Sequence, residues 1–98
     1  MNAKRFIKSG IGWGDIVARL LVYFPGEEWE LEEMPGTDIV RDRSGMLWAV
    51  CREETVEEMQ LGKDLEEAIQ TLVRDYTSAG LNVLITTADY EVIREVEA

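Results

Sequence analysis

The sequence predicts an α+β fold, in which a single antiparallel β-sheet (a three-stranded meander plus one further strand) has helices packed on one face. Apolar and polar residues alternate in the middle of the chain, which is typical of strands, whereas residues 65–76 show the period of an amphipathic helix. The length of 98 residues and the 46% content of apolar residues suit one domain with a modest core. We therefore expect residues 1–98 to form a single domain, of which 1–13 is a flexible or irregular arm.

The pattern of glycines and apolar residues in the N-terminal quarter of the chain predicts this arm, followed by a helix. Glycines interrupt the apolar residues of the arm, and Gly14 or Asp15 is a suitable cap for a helix that runs to about Phe24. The apolar residues of this helix follow the spacing of one buried face. They are Ile16, Val17, Leu20, Leu21 and Phe24. The pair Pro25-Gly26 then ends the helix.

The next segment predicts the three-stranded meander. Residues 28–32 alternate a tryptophan and a leucine with glutamates, which is the pattern of a half-buried strand. After a turn at Pro35-Gly36, strands over 38–41 and 46–52 flank the tetrad 42–45, whose final glycine suits a left-handed position in a hairpin. Residues 46–51 of the second strand are apolar on both faces, so we expect this strand inside the sheet.

The C-terminal part predicts a second helix, a fourth strand and a short final element. Residues 53–61 fit either a strand or one helical turn. Asp64 is placed to cap the helix and Gly80 to end it. The apolar stripe of this helix consists of Leu65, Ala68, Ile69, Leu72, Val73 and Tyr76. Residues 81–86 are rich in strand-forming types, and residues 87–97 fit a last helix or, almost as well, a strand.

The segment Gly62-Lys63-Asp64-Leu65-Glu66-Glu67-Ala68 resembles the strand-to-helix junction of HicB-type antitoxins. The resemblance covers these seven residues, and it implies the same local fold, a strand followed by a helix. It implies nothing about activity, because many α+β proteins begin a helix in this way.

Charge is distributed unevenly along the chain. Residues 1–25 have a balance of +3, residues 26–67 hold 14 acidic against four basic side chains, and residues 68–98 add −3. The net charge of −10 is therefore concentrated in the segment that we predict to form the sheet. Such a charge repels nucleic acids and anionic membranes and attracts basic surfaces. We expect a protein partner with a basic surface, and no direct binding of nucleic acid or membrane.

Few groups in this sequence are suited to catalysis. The chain has no histidine and a single cysteine, Cys51, which excludes the usual catalytic triads, the usual zinc sites and an internal disulfide. The G-x-G-x-G run at residues 10–14 lacks the spacing and the lysine of a phosphate-binding loop. Adjacent glutamates on a strand point to opposite faces, and no calcium-binding loop motif is present. We therefore predict a protein that is not an enzyme and has neither a cofactor nor a metal ion.

The acidic residues predict a surface for the partner. On a strand, Glu28, Glu30 and Glu32 would share one face at spacings of about 6.6 to 6.8 Å, close to the distance of about 6 to 7 Å between neighbouring phosphates of a nucleic-acid strand. Further carboxylates would extend this ladder. They are Glu53, Glu54, Glu57 and Glu58. Trp13 and Trp29 are the candidate aromatic anchors.

These observations favour a small acidic binding or inhibitor protein that blocks the basic, nucleic-acid-binding surface of a partner. Phage-type anti-CRISPR and anti-restriction proteins are of this kind, and the inference follows from size, charge and missing catalytic groups. The alternatives are an antitoxin-like or homo-oligomeric regulatory module and, third, a small enzyme or metal-binding module. The acidic surface also suits a role in solubility alone. The single cysteine and the lack of a long apolar run favour a cytoplasmic, intracellular location.

Overall fold

The computed structural model of the chain describes residues 3–6, 12–52 and 58–98, which form an antiparallel sheet and an α-helix. The strands are β1 (Ala3–Phe6), β2 (Gly12–Tyr23), β3 (Gly36–Arg41), β4 (Leu47–Cys51), β5 (Glu58–Gly62), β6 (Asn82–Thr86) and β7 (Val92–Val96). Helix α1 spans Leu65–Ser78, and a short 3₁₀ helix spans Leu31–Glu33. The prediction of an α+β fold built on one antiparallel sheet is confirmed.

The strand order across the sheet is β5-β4-β3-β2-β6-β7, with antiparallel pairing throughout. Strands β2 to β5 form a meander, and α1 then carries the chain to β6 on the other side of β2. Strand β1 also pairs with β2, and Asp15 has a partner in β1 and another in β3. Therefore β1 lies along the same edge of β2 as β6. The meander differs from the predicted one, because β2 belongs to it and residues 28–32 do not.

The apolar run after Gly14 is the central strand β2, and the helix predicted from Asp15 to Phe24 is wrong. Strand β2 has hydrogen-bonded neighbours on both edges, and every residue from Ala18 to Val22 is buried. A strand that is buried on both faces shows no alternation of polar and apolar residues. Its continuous apolar run therefore also matches the spacing of a helical face, and the remote neighbours decide between the two structures.

The arm predicted over residues 1–13 includes strand in its described parts. Lys4 pairs with Gly14 and Phe6 pairs with Gly12, so β1 and the beginning of β2 form an antiparallel ladder. Residues 7–11 lie outside the described part of the chain, and so does the side chain of Trp13.

The predicted β3–β4 hairpin is confirmed. Gly45 has the expected positive φ of 91°. Asp42 organises the turn, because its carboxylate accepts hydrogen bonds from the Ser44 side chain at 2.6 Å and from the Trp48 indole N–H at 2.9 Å. These two bonds contribute most to lowering the pKa of Asp42 to about 2. Strand β4 lies between β3 and β5, inside the sheet as predicted.

Helix α1 also follows its prediction. Asp64 caps it by accepting a hydrogen bond from the Glu67 N–H at 3.2 Å, and Gly80 follows its end with a φ of 86°. The buried residues of α1 are Ala68, Ile69 and Leu72. Within the described residues, no helix has the length and apolarity needed to cross a membrane.

Three further predictions have mixed outcomes. The strand predicted over residues 81–86 is confirmed as β6, and the ambiguous segment 53–61 contains strand from Glu58 onward. Residues 53–57 lie outside the described ranges. The final element is the strand β7, so the helical alternative for residues 87–97 is wrong.

The sheet has one face covered by α1, the helix face, and an opposite one that we call the helix-free face. The core of the helix face consists of Ala18, Leu20, Val22, Ile39, Leu47, Ala49, Ala68, Ile69, Leu72, Val83 and Ile85. A smaller cluster of Ile16, Val40 and Val50 packs with Trp48 and Ala88. Since neighbouring strand residues point to opposite faces, Val40 and Val50, which follow Ile39 and Ala49, place this cluster on the helix-free face. The apolar cluster on the helix-free face is therefore smaller than the core under α1, and polar side chains occupy part of this face.

Candidate partner-binding surface

A loop over residues 24–35, which we call the acidic loop, connects β2 to β3. It begins with a turn in which the Glu27 N–H donates to the Phe24 carbonyl at 3.1 Å. Pro25 and Gly26 take the central positions of this turn, and Gly26 has the φ of 91° that such a position requires. The 3₁₀ helix and the buried side chain of Met34 then return the chain to β3.

The strand predicted over residues 28–32 is wrong, and the ladder of carboxylates predicted on it is absent. Both edges of β2 are already occupied by β3, β1 and β6, so the acidic loop has no free partner there. Glu28 and Glu30 precede the 3₁₀ helix, and Glu32 lies within it. These glutamates remain together on one loop, but they do not have the regular spacing of a strand.

Four side chains at the centre of the helix-free face form a polar group that we call the arginine cluster. Its members are Arg19, Asp38, Arg52 and Tyr90. Arg19 and Asp38 are cross-strand partners, and the Arg19 Nη1 donates to both carboxylate oxygens at 3.1 and 2.9 Å. The guanidinium of Arg52 donates to the same carboxylate at 3.3 Å. The Tyr90 ring centre lies 4.6 Å from the Arg19 guanidinium carbon and 5.5 Å from that of Arg52, within the range of cation–π contacts.

The arginine cluster fastens the acidic loop to the sheet. Arg52 donates from Nε to the Met34 carbonyl at 2.9 Å and from Nη2 to the Glu32 carbonyl at 3.1 Å. Its Nη2 also donates to the Tyr90 hydroxyl at 3.2 Å. Because the Arg52 side chain is only 10% exposed and shares Asp38 with Arg19, the loop is anchored to a fixed point of the sheet.

Tyr90 belongs to the turn between β6 and β7 and has a φ of 65°, which is rare for a residue with a side chain. Hydrogen bonds to the sheet and within the turn hold it in place, among them that from the Tyr90 N–H to the Thr87 carbonyl at 3.0 Å. The Arg19 Nε donates to the Ala88 carbonyl at 3.1 Å, and the Thr87 N–H donates to the Glu91 carbonyl at 2.9 Å. The unusual backbone conformation of Tyr90 is therefore supported by bonds within the turn and by the contacts of Arg19 with the Ala88 carbonyl and the Tyr90 ring.

A groove of about 330 Å³ lies between the acidic loop and the helix-free face. Its lining combines apolar, aromatic and acidic residues: Tyr23, Glu27, Glu28, Trp29, Leu31, Met34 and Leu84. Leu84 is on the helix-free face because its neighbours Val83 and Ile85 belong to the core of the other face. The Tyr23 hydroxyl donates to the Glu95 carboxylate, and this bond raises the pKa of Tyr23 above its usual value of 10.0. The phenol is thus neutral near pH 7.

Two aromatic side chains of the acidic loop project into solvent. Trp29 is 45% exposed at the groove, and Phe24 is 55% exposed at the beginning of the loop. Large apolar groups next to exposed charges are typical of interaction surfaces, where tryptophan contributes disproportionately to affinity. Of the two predicted anchors, Trp29 is therefore placed where it can contact a partner, and the Trp13 side chain lies outside the described residues.

The glutamates of the acidic loop are exposed, and their carboxylates form no ion pair with the described basic side chains. These glutamates are Glu27, Glu28, Glu30, Glu32 and Glu33. The ion pairs of the described residues join Asp38 to Arg19 and Arg52, and Glu66 to Arg94. Arg52 contacts the acidic loop through the backbone carbonyls of Met34 and Glu32, so the carboxylates of the loop remain available to a partner. Nor does this part of the chain place three or more His, Cys, Asp or Glu side chains around a common metal position.

The side chains of the remaining predicted site residues are not described by the structure. Glu53, Glu54 and Glu57 lie outside the described ranges, and Glu58 begins β5 with a side chain that is likewise not described. The arginine cluster was not predicted from the sequence. One signal pointed to it, because Arg19 lies inside the longest apolar run, and a charged residue in such a run needs a buried partner.

In comparisons with known proteins, the chain matches no family model, no curated protein and no solved structure.

Proposed function

We propose that this protein is a non-enzymatic, acidic binding protein that blocks the basic, nucleic-acid-binding surface of a partner, as phage-type anti-CRISPR or anti-restriction inhibitors do. The observation that carries the proposal is the acidic loop, with five exposed glutamates around an exposed tryptophan. Concentrated negative charge accelerates the encounter with a cationic surface and disfavours wrong partners. Trp29 and Phe24 supply apolar contacts after the encounter.

The anchoring of the acidic loop supports the same function. Arg52 and the buried Met34 hold the loop against the sheet before any partner arrives. A preformed loop loses less conformational entropy on binding than a flexible one, so more of the interaction energy remains as affinity. The buried carboxylate of Asp38 is paired with two guanidiniums, which favours a structural role for it over a catalytic one.

A displacement experiment tests this function. Nucleic-acid-binding proteins from a bacterial lysate are loaded on DNA-cellulose, and the purified protein is used to release them at low and at high salt. We expect a defined set of proteins to be released at low salt. The variant Glu28→Gln/Glu30→Gln/Glu32→Gln should need at least about fivefold more protein for the same release, because each exposed charge pair contributes about 0.2 to 1 kcal/mol.

The matched control is the variant Glu66→Gln/Glu67→Gln/Asp75→Asn on α1, across the sheet from the acidic loop. Both variants remove three of the acidic side chains and leave the same net charge. Release by the α1 variant should equal that by the wild type. Equal release by both variants, or no release by the wild type at low salt, would refute the proposed function.

An oligomeric or antitoxin-like module is the second candidate, and the exposed residues of β7 favour it. Val92 is 49% and Ile93 is 64% exposed on this edge strand. Exposed apolar residues at a sheet edge are suited to pairing with another strand. However, Glu91 and Glu95 lie beside them, and a net charge of −10 opposes self-association. A solution mass above that of one chain by light scattering would favour this second candidate.

A further inference from the structure

We propose that the groove beside Trp29 binds one arginine side chain of the partner. This inference rests on the proposed function and names the group that the acidic loop recognises. The groove has an apolar floor, an aromatic wall and acidic side chains at its opening, and these three features match the three parts of an arginine side chain.

The floor matches the aliphatic stem of arginine. Leu31, Met34 and Leu84 line the groove, and Met34 is only 4% exposed. Long basic side chains bury their methylene groups on apolar surfaces and keep the charged end near water. The groove volume of about 330 Å³ is at the small end of ligand sites, which run from about 300 to about 1,000 Å³, so it suits one side chain.

The aromatic wall and the acidic opening match the guanidinium. Trp29 is 45% exposed and presents its indole to the groove, and tryptophan is the most favourable ring for a cation–π contact. Glu27 and Glu28 also line the groove and supply negative charge. Glu27 already accepts a hydrogen bond from the Phe24 N–H at 2.7 Å, which orients its carboxylate.

Charge and shape both favour arginine over other groups. The acidic loop repels anions, and the neutral phenol of Tyr23 adds no charge to the wall. A guanidinium is planar, stacks on aromatic rings and pairs with carboxylates through two parallel hydrogen bonds, whereas the lysine ammonium is a more strongly hydrated point charge. The partner is therefore expected to present an arginine at the centre of its basic surface.

Nuclear magnetic resonance with a small probe tests the groove directly. N-acetyl-arginine-methylamide is titrated into the labelled protein, and the indole N–H resonance of Trp29 is followed. N-acetyl-citrulline-methylamide, which has nearly the same shape without the charge, is the comparison. We expect a saturable shift with the arginine probe and an at least fivefold smaller one with citrulline, since both the cation–π contact and the carboxylate pairing need the charge.

Variants place this binding in the groove. Glu27→Gln/Glu28→Gln should weaken binding of the arginine probe about threefold or more, because both carboxylates line the groove and lose their charge. Trp29→Leu should abolish the probe-induced shift of the Leu84 methyl groups. The indole resonance of Trp48, which donates its N–H to Asp42 in the β3–β4 turn, is an internal control and should not move. Equal shifts with arginine and citrulline, or an unchanged Leu84 response in Trp29→Leu, would overturn the proposal.

The two proposals fail separately. If the arginine probe does not bind, but the loop variant still loses its ability to release proteins from DNA-cellulose, the groove assignment is wrong and the proposed function stands. If the arginine probe binds and the wild-type protein releases nothing, the groove is an arginine site and the proposed function is wrong.

Discussion

Gly36 begins β3 at a point where the backbone of β2 leaves no room for a side chain. Its φ is 144°, and a Cβ built on it would lie 1.9 Å from the Leu20 carbonyl oxygen. Val22 and Arg52 also bond to the backbone here, since the Val22 N–H donates to the Pro35 carbonyl and the Arg52 N–H to that of Gly36. Any shift of Gly36 therefore disturbs β2, β3 and the attachment of the acidic loop together.

Substitution of Gly36 should accordingly be severe. We expect Gly36→Ala to lower the free energy of unfolding by at least about 3 kcal/mol, because strain at a positive φ adds to a clash with fixed backbone. Gly26→Ala is the control, since Gly26 has a φ of 91° and a Cβ added to it would meet no atom within 4 Å. It should lose only about 1 kcal/mol. Urea unfolding measures both, and equal losses would contradict the assignment of a clash.

At the scale of elements, the acidic loop depends on a residue that follows β4. Arg52 is separated from the loop in sequence and contacts it through the carbonyls of Glu32 and Met34. The loop glutamates therefore have their positions fixed by a positive charge that leaves their carboxylates unpaired. Position and charge can be separated experimentally, because removal of Arg52 makes the protein more acidic and at the same time releases the loop.

We expect Arg52→Gln to weaken binding of the cationic partner several-fold, although the net charge becomes more favourable by one unit. The lost hydrogen bonds should also cost about 1 to 3 kcal/mol of stability. Hydrogen exchange of the backbone amides in residues 27–34 should accelerate. Arg43→Gln removes the same charge at an exposed position and should leave partner binding and exchange unchanged. Loop exchange at the wild-type rate in Arg52→Gln would show that Arg52 does not hold the loop.

The elements with strong local signals were predicted correctly, whereas residues 15–32 were not, because their structure depends on remote partners. The Asp64 cap, the Gly80 terminator and the turn at residues 42–45 act within a few residues, so α1 and the β3–β4 hairpin were predicted correctly. Strand β2 resembles a helix in its apolar spacing because both of its faces are buried. The acidic loop resembles a strand because its polar and apolar residues alternate. It cannot pair with β2 or β3, since both edges of these strands are already occupied.

Some residues of the candidate site were predicted from the sequence, but their arrangement in space was not. The sequence indicated that Glu28, Trp29, Glu30 and Glu32 belong to one acidic surface, and the structure places them on one loop. The sequence did not indicate that Arg19, Asp38 and Arg52 contact Tyr90, because these residues come from four separate parts of the chain. The groove under Trp29 was equally hidden, since Leu84 enters it from β6.

At the scale of the whole molecule, charge opposes folding and favours binding. The net charge of −10 is carried by 98 residues, and mutual repulsion between carboxylates is released when the chain unfolds. Salt screens this repulsion, and it screens the attraction between the acidic loop and a cationic partner in the same way. Stability and affinity should therefore respond to salt in opposite directions.

Raising sodium chloride from low to moderate concentration should increase the melting temperature and weaken partner binding. The variant Glu28→Gln/Glu30→Gln/Glu32→Gln removes part of the repulsion, so its melting temperature should rise less than that of the wild type. Calorimetric scans at matched salt concentrations measure both proteins. A melting temperature that is constant or falls over this range would show that self-repulsion is not a significant cost in this fold.

The arginine cluster has a further consequence for how the protein is made. Its members come from β2, from β3, from the residue after β4 and from the turn before β7, so the cluster closes only when these segments have come together. A nascent chain in which Tyr90 has not yet left the ribosome carries all the glutamates of the acidic loop but lacks the complete cluster that fixes their arrangement. The arrangement of the acidic loop that we propose for partner binding is therefore complete only after synthesis has passed Tyr90.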